Sequence, residues 1–327
     1  MRASSAKTAR YDHDICVTFQ ISPNGSVQHY YHYLFGYLIP LVIAYQRVHK
    51  RRGLGSIYVR SCAILDAHTE ALALEKLTIL PREEHASLEQ SSISPNNRTL
   101  LHLSVRGMDK PWLYRAEAIL LARSFILKRL SAQIESFRQS TAMKFAGSSK
   151  KVLLINRDKP PKFYLTAESE TKSAGAARRS LPNFDAIISK LNKQYGQVAG
   201  VHLEDMTLAE QISLFQMADI VIGQHGAALG NIIWCRSDAS AVEIYPRMEE
   251  PRKRLHFERL AESLGLAYFE VQQNDIHAAL DAEQLLATTA AIPKPPSREW
   301  TWKLILARKK IMMRLRSLVG RGPPPPT

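Results

Sequence analysis

ADIVIGQHGAALGNIIW, Ala218 to Trp234, decides the fold of this chain. A branched apolar run, DIVIG, stops at a polar Gln224-His225 pair and resumes through the small residues Gly226, Ala227 and Ala228. The run reads as a buried strand, and GAALGNIIW as the start of a helix. A core strand does not need a histidine at its end, whereas a turn that approaches a ligand has a use for one.

Working outward, the same alternation repeats. Upstream lie a strand, KVLLIN (Lys151 to Asn156), a helix, NFDAIISKLNKQY, and a strand, VAGVHL. Thr207 and Glu210 then form a T-x-x-E capping box ahead of the helical AEQISLFQMA. Downstream follow the strand SAVEIY, the helix RLHFERLAESLGL, the strand AYFEV and a last helix from Asp281 to Ala291. Strands alternating with helices of this length predict a parallel sheet covered on both faces, a Rossmann-type domain. The first half offers the strands ICVTFQI, SIYVRS and TLLHLSV, with the helical HYYHYLFGYLIPLVIAYQRVHK running through Pro40 and a second helix over Ala67 to Leu77. Trp112 to Gln139 reads as a long half-exposed helix. The expected domains are residues 11–111 (an N-terminal α/β domain), 112–149 (a bridging helix) and 150–292 (a C-terminal Rossmann-like domain). A tail, 293–327, carries a Pro-rich linker, a basic amphipathic helix and the disordered end GRGPPPPT. In that helix Leu304, Ile311 and Leu315 share one face and Lys303, Lys310 and Arg314 the other, so it suits either an anionic membrane surface or packing on the protein.

The 327 residues are 45% hydrophobic and 23% charged, which is a globular composition. The apolar stretch Leu34 to Tyr45 is too short to span a bilayer, and MRASSAKTAR is not followed by a signal-peptide core. Cys16, Cys62 and Cys235 lack metal-ligand spacing and read as free thiols in a reducing compartment. A net charge of +14 attracts nucleic acid, anionic lipid or phosphorylated small molecules alike. The chain shows no zinc finger, helix-turn-helix or aromatic RNA-binding signature, so nucleic acid is not an expected partner.

Ligands of open α/β sheets bind where strands end and helices begin. The backbone donors of a helix start at Gly226 and Ala227, with His225 at the lip, suit a phosphate or diphosphate. The same residues also suit a packing histidine beside small residues at a helix–sheet contact. The spacing does not fit G-x-G-x-x-G, which disfavours a nicotinamide enzyme.

MTLAEQISLFQMADIVIGQHGAALGNIIW followed by AVEIYP resembles the conserved block of glycosyltransferase family 61. HYYHYLFGYLIP is similar to that family's early histidine block, and LLINR and ARRSLPN to its arginine-bearing segments. These matches run in order from about Val27 to Pro246. The resemblance implies a GT-B-like fold, two Rossmann-like domains facing across a cleft. It also implies inverting transfer from a nucleotide sugar, expected to be UDP-linked, with no metal and no further cofactor. The sequence departs from the family pattern twice: Ala228 and Gly230 replace a small residue and a threonine, and Gly36 stands where an acidic residue is expected.

Inverting transfer needs a base for the acceptor hydroxyl and cations for the leaving diphosphate. His32 is the candidate base, with His29 one helical turn away as the fallback. Both also read as polar residues at a helix start. Arg157, directly after LLIN, and Arg179 are candidate diphosphate clamps, each equally a surface charge by composition. Glu243, read at a strand end, is a candidate partner for ribose hydroxyls. Asn231 is expected chiefly to stabilise the turn, and His225 to bind the donor. The expectation is a cytoplasmic glycosyltransferase, peripheral at the inner membrane face, acting on a polysaccharide (capsule is one) or a lipid-linked acceptor. The alternative is a non-catalytic nucleotide- or lipid-binding protein of polysaccharide biosynthesis.

Overall fold

The computed structural model describes residues 14–20, 26–49, 55–91, 98–104, 115–171, 174–247 and 255–293. In the first half four parallel strands, β1 (Asp14–Gln20), β2 (Ile57–Arg60), β3 (Leu77–Leu80) and β4 (Arg98–Ser104), lie in the order β3-β2-β1-β4. Their connections carry helices α1 (Tyr30–Tyr33), α2 (Ile39–His49), α3 (Asp66–Glu70) and α4 (Arg82–Ser91). Between α1 and α2 the chain widens into a π-turn, Leu34–Leu38, with every residue buried. Pro40 explains the widening: it has no N–H, and its ring crowds the carbonyl one turn back, so an unbroken α-helix is not available there.

Two expectations for this half change. The predicted helix from Ala67 to Leu77 stops at Glu70, and Leu77 opens β3 instead. Ala73 and Lys76 adopt φ of 45° and 61°, which no helix tolerates, and that turn lays the chain along β2. The strand lies at the edge of the sheet, half-exposed, so its apolar pattern is weak. The bridge is also not one helix. It folds as α5 (Ala116–Arg129), α6 (Ser131–Ser136) and α7 (Arg138–Met143), broken at Leu130 and Phe137.

The second half follows its sequence pattern closely. Strands β5 (Val152–Asn156), β6 (Ala199–His202), β7 (Ile220–Gln224), β8 (Ser240–Pro246) and β9 (Ala267–Gln273) are parallel in the order β6-β5-β7-β8-β9. Helices α8 (Phe184–Tyr195), α9 (Leu208–Met217), α10 (His256–Leu264) and α11 (Ala282–Ala291) cover the sheet. The α9 capping box forms as expected: Glu210 N donates to Thr207 Oγ1 at 3.3 Å and Thr207 N donates to Glu210 Oε2 at 2.8 Å. GAALGNIIW is not an α-helix, however. Ala227–Trp234 is a 3₁₀ helix, a tighter coil with poorer hydrogen bonds that is seldom this long.

Packing holds that coil. Gly230 lies against the π-turn, where a Cβ would come within 3.2 Å of the Phe35 ring and 3.5 Å of Leu34. The departure at Gly230 is therefore a fit between the two halves: a threonine would press on Phe35. One apolar core runs through both halves, from Tyr33, Leu34 and Phe35 to Ile232, Ile233 and Trp234. A second cluster, around Leu154, Ile187 and Ile222, fills the far face of the second sheet. No helix among the described residues is long and apolar enough to cross a membrane. The predicted basic helix near the C-terminus lies outside the described residues.

Candidate functional site

Parallel sheets gather their strand-to-helix turns at one edge, and a ligand fits best where neighbouring turns leave in opposite directions. In the second sheet that point lies between β5 and β7, and the turns there are Asn156–Arg157 and Gln224–Gly226. In the first sheet the corresponding point is beside β1, whose connection leads to His29 and Tyr30. Both edges line a single inner cavity of about 140 Å³. The first half supplies His29, Tyr30, Leu65 and His68, and the second supplies Arg157, Arg178, Glu204, Ala227 and Asn231 among others.

Three guanidiniums concentrate at the second-sheet wall. Arg157 Nη2 and Arg179 Nη1 both donate to the His225 carbonyl, at 3.2 and 2.9 Å, and Arg178 Nη1 lies 3.3 Å from His29 Nε2. Burial, then Arg179 and Arg178, pull the Arg157 pKa down to about 10, so it stays protonated at neutral pH. The turn is shaped around this cluster: a Cβ on Gly226 would stand 1.8 Å from Arg157 Nη2. Gly175 serves the same loop, with φ of +64° and a Cβ position only 2.6 Å from the Asp158 carbonyl. Beyond it the loop is pinned to the first half. Tyr164 Oη donates to the Gln28 carbonyl, and Glu170 pairs with Arg60 and with Arg82.

The first-sheet wall is uncharged. Burial, followed by His32 and the three arginines, pushes the His29 pKa down to about 3, so its ring is neutral and can accept from Arg178. Burial alone lowers His68 to about 4. Asn231 joins the walls. It is fully buried, and its Oδ1 accepts from Tyr30 Oη at 2.6 Å and Trp234 Nε1 at 2.9 Å. Its Nδ2 donates to Gln211 Oε1 at 3.0 Å, so turn stabilisation is the role its bonds describe.

The structure thus brings His29, Arg157, Ala227 and Asn231 to the cavity. Arg179 stands behind them, buried on the His225 carbonyl, and Gly226 shapes the turn. Three expected residues lie elsewhere. His32 is not among the lining residues, although its ring is 5.5 Å from that of His29. The His225 side chain is 4% exposed and turned away from the lip where it was expected, with Nδ1 paired to Glu243 Oε1 and the ring packed edge-on against Phe257. Glu243 lies inside β8 and not at its end; it is 1% exposed, and Tyr268 Oη holds its other oxygen. Burial and that carboxylate raise the Tyr268 pKa, which keeps the phenol a donor. The reason is register: Glu243 pairs with Gly223 and Glu270 in neighbouring strands, two residues short of the sheet edge that Tyr245 and Pro246 reach.

Arg178, His68 and Glu204 were missed by sequence reasoning. Arg178 adjoins a residue that was named, and Glu204 follows a strand that was recognised, so a strand-end rule applied to every strand would have found it. His68 gives no such signal: it lies in a helix by sequence and in α3 alike, and nothing in its spacing marks a site. The family model for Glycosyltransferase 61 matches residues 30–242, a span that contains the cavity's lining residues other than His29. No curated protein matches the chain.

Proposed function

The chain belongs to glycosyltransferase family 61 and is a glycosyltransferase, and from that premise we propose that it inverts the anomeric centre of a nucleotide sugar held in this cavity. The observation that carries the reading is the convergence of Arg157, Arg178 and Arg179 at the β5/β7 switch point. Clustered guanidiniums in a low-dielectric site favour a diphosphate, whose charge grows as the glycosidic bond breaks. The fold that suits this role is GT-B-like: two parallel sheets turn their carboxyl edges to one cavity, donor on the second and acceptor on the first. His29, neutral and bonded to Arg178, orients that arginine and offers a hydrogen bond to the donor. The His225–Glu243–Tyr268 chain stiffens the turn whose carbonyl holds the arginines. Charge on these arginines supplies the electrostatic stabilisation, so the reading needs no metal. We place the donor as UDP-linked, the acceptor as a polysaccharide or lipid-linked glycan, and the enzyme at the cytoplasmic membrane face.

Titration with UDP tests this. Arg157→Ala should weaken UDP binding by roughly 100-fold, the scale of removing one charge-assisted anchor from a buried anion site. Arg179 still holds the His225 carbonyl in that variant, so the fold should survive a thermal melt. Equal affinity for UDP in both proteins would remove the donor from this site.

A further inference from the structure

The cavity borders a second space. This larger groove, of about 660 Å³, is walled by α3, the α6–α7 corner at Ser136 and Phe137, and the loop from Glu204 to Thr207. Ile64, Leu65, His68, Pro161 and Glu204 line both spaces, so any passage between them runs past these side chains. Glu204 is the one carboxylate lining the inner cavity among the described residues. It stands two residues beyond the end of β6, and its Oε1 accepts from Asp158 N at 3.2 Å. Its Oε2 is buried with no hydrogen-bond partner among the described residues. Arg157 lies near enough to feel the carboxylate's charge, yet no hydrogen bond reaches this oxygen, and a buried carboxylate oxygen left without one is costly. A hydroxyl arriving through the passage would satisfy it.

We propose that the groove admits the acceptor glycan and that Glu204 is the catalytic base of the transfer. This rests on the donor reading above. The acceptor oxygen attacks the anomeric carbon from the groove side, forming the new glycosidic bond. The bond from that carbon to the phosphate oxygen breaks, and its electron pair leaves on the nucleoside diphosphate beside Arg157 and Arg178. The hydroxyl proton passes to Glu204 Oε2. His68, neutral and on the same passage, holds the hydroxyl by a hydrogen bond. The other candidates are placed less well: His32 does not line the cavity, and His29 has Nε2 against Arg178 and a pKa below the ordinary carboxylate range. Gly36, where the family pattern has an acid, lies within the buried π-turn, so this chain takes its carboxylate from the opposite sheet.

The test is Glu204→Gln, whose amide oxygen still accepts from Asp158 N but cannot take a proton. UDP affinity is measured by calorimetry, and nucleotide release from UDP- and GDP-sugars is measured with water or methyl glycosides as acceptors. We expect UDP affinity unchanged or a few-fold tighter, because a negative charge near the diphosphate is gone, and turnover reduced at least 100-fold. Glu204→Asp should recover part of that turnover. A loss under 100-fold, or a parallel loss of affinity and melting temperature, overturns the base assignment and leaves Glu204 a loop brace. Wild-type protein that binds UDP but releases none from any sugar donor also overturns it. Wild-type protein that fails to bind UDP overturns the donor reading instead.

Discussion

The two walls of the cavity come from sheets built alike and carry opposite chemistry. The second-sheet wall gathers three guanidiniums, two of them on the His225 carbonyl, whereas the first-sheet wall presents aromatic rings and two imidazoles that burial keeps uncharged. Charge on both walls would repel across the gap, and charge on neither would hold no diphosphate. On the proposed reading, the difference means that a diphosphate takes its charge neutralisation from one wall and only neutral contacts from the other.

Beyond the arginine and glutamate substitutions above, the most damaging change to the contrast should be Gly226→Ala. The new methyl displaces the Arg157 guanidinium without removing it, so UDP affinity should fall by about 10- to 100-fold, or about 1.4–2.7 kcal/mol. Unchanged affinity in calorimetry would mean that Arg157 does not act from its present position. Next comes Tyr30→Phe, which cuts the hydrogen bond joining the walls. Asn231 Oδ1 keeps the Trp234 donor, so the loss should be about 1 kcal/mol and a melting temperature lower by a few degrees. The effect that is smallest at neutral pH, and emerges only in acid, is that of the buried imidazoles. His68 and His29 bind protons more weakly folded than unfolded, so their contribution is complete above about pH 6.5. It declines as pH falls toward about 4 for His68 and about 3 for His29, because the unfolded chain takes up those protons first. His68→Phe should flatten the stability profile between pH 6.5 and 4 in urea titrations; an unaltered slope would show that the ring is solvated.

Much of the second half could be read before folding, because its strands are buried on both faces and its helices carry their own stop signals, such as the Thr207–Glu210 box. The first half resisted for a local reason: β3 is short, half-exposed and entered through left-handed Ala73 and Lys76, whose conformations no propensity rule anticipates. At the site, the end of β5 brings Arg157 to the cavity, whereas β8 runs on past Glu243 and the His225 side chain turns away from the lip. Sequence spacing marks an apolar run and leaves the end of its ladder open. Which way a side chain turns depends on the register with neighbouring strands, and there Glu243 found His225 and Tyr268 before it found the cavity. Glu204 stayed hidden because an unpaired oxygen is a property of three-dimensional packing.

The contact between the π-turn and the 3₁₀ coil has a mechanical meaning. Gly230 lies on Phe35, Tyr30 bonds Asn231, and Arg123 reaches the Trp234 carbonyl. Packed interiors resist continuous deformation, so a side chain enlarged at Gly230 is felt by both sheets together. The seam couples the position of one wall to that of the other.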